Sequence, residues 1–134
     1  MGDRQIWNED FPNVPNWLCI KWKIEDDDWF DFNTWTLKNY YKKIDFKTGV
    51  LHREIEVVDA KGRETKICSK RTASMHERNK AAMIYSLQPL NWAGKVTFKT
   101  GINGKITNTG VDRYNSLNQN HLTPIDQGLR DDIA

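Results

Sequence analysis

A chain of 134 residues has the length of one ordinary domain, and its 38% of hydrophobic residues can supply a folded core. The 20 basic and 18 acidic residues leave a net charge of +2, too balanced for the clustered positive charge that nucleic-acid or anionic-membrane binding requires. We therefore expect neither a nucleic-acid partner nor a membrane partner.

The cysteines and the first residues bear on the cellular compartment. Cys19 and Cys68 lie far apart in the sequence, and we predict two free thiols, as in a reducing compartment, in preference to a single disulfide. Residues 1–10 are polar and lack the apolar stretch of a secretory signal. No apolar run approaches the roughly 20 residues of a membrane-spanning helix. These features together predict a cytoplasmic protein.

The first half of the chain consists of short alternating segments that predict strands. Segment 17–24 has an apolar face made of Leu18, Ile20, Trp22 and Ile24. The acidic run at 25–28 predicts a solvated turn. Segment 37–46 is rich in aromatic residues and predicts a second strand. Segments 50–58 and 63–72 flank a turn at 59–62 and predict the clearest hairpin in the sequence.

The second half contains two further predicted strands and a loop-rich end. Segment 80–90 is apolar on both sides, which predicts a central strand that needs cover on both faces, with Trp92 extending its apolar surface. Segment 95–102 alternates again. The glycines at 101–105 lack the spacing of a phosphate-binding loop and predict a tight turn. We expect one domain over residues 1–122 and a tail over residues 123–134.

Catalytic and metal-binding patterns are missing from the sequence. The three histidines stand singly, no spacing matches a metal site, and no nucleophile motif occurs. The acidic run is a poor catalytic pair, because adjacent acids in a turn point in different directions. We therefore predict no catalytic residue, no metal and no cofactor in this chain.

Six tryptophans are the unusual feature of the composition. Trp22 lies on the apolar face of its predicted strand and is expected in the core. Trp7, Trp29 and Trp35 lie in irregular segments and are the candidates for stacking against a sugar ring, since an aromatic face suits the C–H face of a pyranose. An exposed coplanar pair among these three would indicate a carbohydrate-binding module.

Short motifs, taken in chain order, resemble those of a known family. They are Asn13-Val14-Pro15-Asn16-Trp17, the hairpin from Ile44 to Arg53, Gly62-Arg63-Glu64-Thr65, and Leu87-Gln88-Pro89-Leu90-Asn91-Trp92. From about Asn13 to Leu122 the chain resembles the amino-terminal domain of glycoside hydrolase family 65, which includes maltose, trehalose and kojibiose phosphorylases. The resemblance also accounts for Arg53, a charged residue that interrupts the apolar face of its strand, because Arg53 belongs to the family's hairpin motif.

The resemblance implies an antiparallel β-sandwich of the galactose mutarotase-like super-sandwich type. It is expected to be incomplete here, because relatives have a glycine-rich first segment that this chain lacks. In the family, a separate (α/α)₆ barrel carries the catalytic glutamate and the phosphate site. The resemblance therefore implies an active parent enzyme and a chain that is inactive alone.

The implied role is a domain that packs on the barrel, forms one lip of the active site and helps to form a dimer. The expected partners are the remaining domains of the parent, a second copy and carbohydrate. The parent would cleave α-linked glucose disaccharides with inorganic phosphate as a substrate, or with water in a hydrolase. Two alternatives stay open: a free-standing carbohydrate-binding module with exposed tryptophans, and a protein-interaction sandwich with no role in sugar binding.

Overall fold

The computed structural model describes residues 13–107 and 122–125, and all regular structure in these residues is β-strand. The strands are β1 (Asn16–Ile24), β2 (Thr36–Asp45), β3 (Val50–Val58), β4 (Glu64–Ala73), β5 (Ala81–Pro89) and β6 (Val96–Asn103). β1 and β6 form a two-stranded sheet, and the other four strands form a sheet in the order β2-β3-β4-β5. The predicted antiparallel all-β fold is confirmed. The predicted boundary near residue 122 falls beside residues outside the described ranges and stays a prediction.

The described residues divide into two compact units. The larger unit is Ile20–Lys99, and the described residues of the smaller unit are 13–19, 100–107 and 122–125. In the smaller unit, the Asn13 Nδ2 donates a hydrogen bond of 3.0 Å to the Thr107 carbonyl oxygen. The Asn16 Oδ1 accepts a 3.0 Å bond from the Leu18 amide at the start of β1. The first of these bonds holds the entry to β1 beside the segment that follows β6.

The core lies in the larger unit, where alternate residues of β3 and β4 face inward. Ile55 pairs with Ile67, and Val57 pairs with Thr65, and all four are buried. Trp22 and Ile24 of β1 pack against this face, which makes a partial β-sandwich. The apolar alternation predicted for β1 and β3 is confirmed at these positions.

The β3–β4 hairpin shows why this part of the sequence folds as predicted. The Asp59 carbonyl oxygen accepts a 3.0 Å bond from the Gly62 amide, which closes the turn. The Asp59 Oδ1 accepts bonds of 2.9 Å from the amides of Lys61 and Arg63. Gly62 has a φ of +76°, a left-handed conformation that glycine adopts without steric cost. The turn and the pairing of β3 with β4 are confirmed.

Replacement of Gly62 by alanine should lower the free energy of unfolding by about 1 kcal/mol, because a Cβ is strained at positive φ. Gly101→Ala is the matched control: Gly101 lies in β6, its φ is not left-handed, and no atom lies within 4 Å of an added Cβ. Its effect should stay within about 0.5 kcal/mol. Urea unfolding measures both. Equal effects of the two substitutions would contradict the strain at Gly62.

Two sequence predictions are wrong in the second half of the chain. Within the described residues β5 pairs only with β4, so it is an edge strand of this sheet and not a central one. Its apparent two-sided apolar pattern came largely from small alanines, which a solvent-facing strand also tolerates. The predicted tight turn at 101–105 is also wrong, because Gly101 and Asn103 belong to β6.

Candidate functional site

The sugar-stacking candidates lie in different surroundings. Trp35 is half-buried against the core, with its ring edge-on to Trp22 and to Phe30 at centroid distances of 5.3 Å each. Trp29 is 38% exposed, and the Lys23 Nζ lies 5.9 Å from its ring centroid. Trp7 lies outside the described residues. Trp35 therefore contributes to the core wall, and the assignment of sugar binding to these three residues stays a prediction.

An aromatic cluster around Trp22 holds the loop after β1 against the core. The Phe30 amide donates a 2.8 Å bond to the Trp22 carbonyl oxygen, which folds the loop back over β1. The rings of Trp22 and Phe30 then stack with centroids 4.7 Å apart, and Phe32 packs edge-on against Phe30 at 4.8 Å. The Trp22 Nε1 donates a 3.1 Å bond to the Tyr85 hydroxyl. Burial raises the pKa of Tyr85, so this hydroxyl is neutral at pH 7.

An ion-pair network connects the same loop to the β3–β4 turn. Asp27 receives a 2.6 Å contact from the Lys61 Nζ and a second contact from the Arg63 guanidinium. The Arg63 Nε also donates to the Asp59 Oδ2 at 2.6 Å. The acidic run is therefore more than the solvated turn that the sequence predicted, because one of its acids pairs with two cations. The sequence did not reveal this pairing, since Lys61 and Arg63 lie 34 and 36 residues from Asp27.

This network lowers the pKa of both carboxylates. The Lys61 ammonium, and then the Arg63 guanidinium, hold the pKa of Asp27 below its usual range. Burial acts to raise the pKa of Asp59, but the hydrogen bonds from Arg63 and Lys61 outweigh it and the pKa is lowered. A carboxylate with a lowered pKa stabilises the fold above its ordinary pKa of about 3.9, and this contribution disappears as the pH falls through the folded-state value.

Stability should accordingly be nearly constant between pH 7 and about pH 5 and fall below about pH 4. Asp59→Asn should cost about 1–3 kcal/mol at pH 7, because it removes a nearly buried charged acceptor, and the difference from wild type should shrink at pH 3. Urea unfolding at each pH measures this, with exposed Asp28→Asn as the control. A difference between Asp59→Asn and wild type that does not change with pH would contradict the role of the charge.

The inner face of β2 exposes large apolar side chains beside the core. A bulge at Lys38 brings Leu37 and Tyr40 to the same face, opposite the buried Val57 and Ile55 of β3. Yet Tyr40 is 52% exposed, and Leu37 is exposed to a similar degree. The described residues thus bury Ile55 and Val57 of β3 and Thr65 and Ile67 of β4 but leave the same side of β2 open. We call Leu37, Tyr40 and Ile44 the β2 inner face.

The surface predicted at residues 80–90 is smaller than the sequence suggested. Tyr85 and Leu87 pack against the core, and Ile84 is the large apolar residue that β5 exposes on its other face. Ile84 borders an apolar depression of about 170 Å³. The predicted extension by Trp92 is wrong, because Trp92 packs against the core and its Nε1 donates to the Glu64 carbonyl oxygen at 3.0 Å and to the Thr65 Oγ1 at 3.1 Å.

Sequence reasoning missed a depression in the smaller unit. It has a volume of about 420 Å³ and is lined by the entry to β1 and by the segment after β6. Its walls include Trp17, which the sequence pattern had assigned only to a strand, together with Pro15, Leu18 and Ile106. The sequence signal for this depression was the Pro15-Asn16-Trp17 motif, which places an aromatic side chain at the start of β1.

Within residues 13–107 and 122–125, no three His, Cys, Asp or Glu side chains are grouped as metal ligands. Cys19 and Cys68 are free thiols, as predicted. Burial raises the pKa of Cys68, and the nearby Glu54 raises it further, so this thiol is a poor nucleophile at pH 7. The described part of the chain also contains no helix with the length and apolar character that a membrane crossing requires.

Comparison with known proteins gives a consistent result. Residues 2–134 match the family described as "Glycosyl hydrolase family 65, N-terminal domain". An uncharacterized glycosyl hydrolase of Mycobacterium tuberculosis is 37% identical over 116 residues, which are 87% of this chain and 9% of that protein. A kojibiose phosphorylase of Halothermothrix orenii is 33% identical over 78% of this chain and 13% of its own length.

An α,α-trehalose phosphorylase of Thermoanaerobacter brockii is 27% identical over 72% of this chain and 12% of its own length. The chain thus spans roughly a tenth of the length of these curated relatives. No solved structure gave a significant match.

Proposed function

The chain belongs to the glycosyl hydrolase family 65 N-terminal domain family, and we propose that it is a non-catalytic layer that packs on the catalytic part of a phosphorylase. The proposed whole enzyme cleaves an α-linked glucose disaccharide with inorganic phosphate. The names of the relatives support this class of reaction, since they include kojibiose and trehalose phosphorylases. Free Cys19 and Cys68 support a cytoplasmic setting.

The β2 inner face is the observation that carries this proposal. Leu37 and Tyr40 continue the apolar face on which Ile55 and Val57 of β3 are buried, yet Leu37, Tyr40 and Ile44 each remain about half exposed. Lys42 lies between Tyr40 and Ile44 on the same face. An apolar strip of this kind, next to a core and bordered by polar residues, is typical of a surface that another element covers. We propose that the remaining segments of the enzyme cover it, as the second layer of the sandwich or as the face of the catalytic domain.

Contributions to the active-site lip and to dimer formation are part of the same proposal. Edge strands with free hydrogen-bonding groups favour added pairing partners, and within the described residues both β2 and β5 are edges of the four-stranded sheet. We therefore propose these two edges as the place where a second copy of the chain would pair.

Hydroxyl-radical footprinting tests the proposal, because Tyr40 and Tyr41 form a matched pair. They are 52% and 53% exposed, but they point to opposite faces of β2. We expect the remaining segments of the enzyme, added in trans, to protect Tyr40 and to leave Tyr41 oxidised at its original rate. Equal protection of both tyrosines, or of neither, would contradict docking through the inner face.

The alternative function is a carbohydrate-binding module. It is supported by the exposure of Trp29, but the half-buried position of Trp35 removes that ring from a shared platform. Saturable binding of a glucose disaccharide by the isolated chain, abolished by Trp29→Ala, would favour this alternative over the docking role.

A further inference from the structure

A small cavity on the inner side of the four-stranded sheet carries an unusual amount of positive charge. It has a volume of about 50 Å³ and is lined by Tyr40, Lys42, Leu51, Arg53, Ser69 and Arg71. The strand register explains this grouping, because Lys42, Arg53 and Ser69 are direct neighbours across β2, β3 and β4. Arg71 lies in the next row, opposite Leu51. Three cations from three strands therefore face one point.

These cations are not neutralised by the described residues. None of Lys42, Arg53 and Arg71 forms a salt bridge to a carboxylate within residues 13–107 and 122–125. Other cations of the same unit do find partners. Examples are Lys38 with Glu64 and Lys66 with Glu54. The cavity is therefore a place where positive charge is gathered without its counter-charge.

The environment of the two arginines makes this charge effective. Arg53 and Arg71 are half-buried, and Ser69 between them is buried. Charges in such a site are screened less by solvent than charges on fully exposed side chains. Burial raises the pKa of Tyr85, and the positive charge of Arg53 offsets part of that rise. The charge of Arg53 therefore acts as far as Tyr85.

The donor set matches one class of ligand. A guanidinium group presents a planar fork of N–H donors that fits the oxygens of a phosphate, sulfate or carboxylate, and hydroxyl groups add further donors. About 10–15 Å³ of such space is enough to hold one water molecule, so a cavity of about 50 Å³ has room for a small ion. We propose that this cavity binds one small oxyanion between Arg53 and Arg71. Tyr40 also belongs to the β2 inner face, but anion binding by the isolated chain does not depend on the docking role described above.

The test is a titration of the 134-residue chain with sodium phosphate, sodium sulfate and sodium acetate, followed by amide chemical shifts. Sodium chloride keeps the ionic strength constant, so that general screening does not change during the titration. We expect saturable binding of one anion, with the largest shifts at residues of β3 and β4 around the cavity. Saturation by phosphate or sulfate alone assigns a tetrahedral oxyanion. Saturation by acetate as well extends the site to carboxylates, including one supplied by another segment of the enzyme.

Variants localise the site. Arg53→Met and Arg71→Met should each weaken binding by about tenfold or more, because each removes a charge-assisted fork. Arg78→Met is the matched control, since Arg78 is exposed and does not line the cavity, and it should leave affinity unchanged. Arg53→Lys keeps the positive charge but replaces the planar pair of guanidinium N–H donors by a single ammonium group. It should therefore weaken binding less than Arg53→Met. The absence of saturable binding to all three anions would overturn the proposal, as would an equal loss in Arg78→Met.

Discussion

Trp22→Ala should lower the free energy of unfolding by about 3–5 kcal/mol. Trp22 is 0% exposed, stacks on Phe30 and contacts Trp35, so its removal opens a large cavity between β1 and the four-stranded sheet. It also leaves the Tyr85 hydroxyl without its hydrogen-bond donor. Domains of this size have total stabilities of about 5–15 kcal/mol, so the variant should retain little folded population in mild urea.

Two further variants separate the causes of this loss. Trp29→Ala removes the same side chain from a position 38% exposed, and its effect should stay below about 1 kcal/mol. Trp22→Phe keeps a stacked ring and removes the donor to Tyr85, so its cost should lie between those of the two alanine variants. Urea unfolding followed by circular dichroism gives all three values. Equal costs for Trp22→Ala and Trp29→Ala would show that the cluster around Trp22 is not the core.

Tyr40→Asp should weaken association with the remaining segments of the enzyme by about 30-fold or more. A large aromatic side chain at the centre of an interface commonly contributes 2 kcal/mol or more to binding, and Tyr40→Asp removes that side chain. Leu37 and Ile44 lie on the same face and should show smaller effects of the same sign.

Tyr41→Asp is the matched control for this prediction. Tyr41 is the adjacent residue with the same exposure, but it faces the other side of β2, opposite Glu54. Its affinity should remain within about threefold of wild type. Unfolding of each isolated variant confirms that the fold is intact before binding is measured by calorimetry. A loss as large in Tyr41→Asp as in Tyr40→Asp would contradict the assignment of the inner face as the docking surface.

Sequence alternation predicted the strands well because it reports local geometry. The hairpin between β3 and β4 follows from two alternating segments and a turn in which Gly62 adopts positive φ. Alternation cannot report which strand becomes an edge, since that depends on pairing across the whole sheet. For this reason β5 was placed in the centre, whereas the described sheet ends at it. The bulge at Lys38 also escaped detection, although it decides which residues of β2 share a face.

The candidate sites were harder to predict because their residues meet only through strand register. Asp27 pairs with Arg63, which lies 36 positions away in the sequence. Lys42 lines one cavity with Arg53 and Arg71, which belong to two other strands. The one sequence signal was Arg53, a charged residue on an otherwise apolar face. The tryptophan candidates were chosen for lying in irregular segments, a pattern that could not reveal that the loop of Trp35 packs its ring against the core.

The most direct test of the central claim is the formation of glucose 1-phosphate from kojibiose and from trehalose in phosphate buffer. Three samples are compared: the 134-residue chain alone, the remaining segments of the enzyme alone, and the two together. We predict no product from the chain alone and phosphate-dependent product from the mixture, at a rate well above that of the remaining segments by themselves. Product formed by the purified chain alone, or an unchanged rate when the chain is added, would contradict a non-catalytic domain that supports the catalytic part.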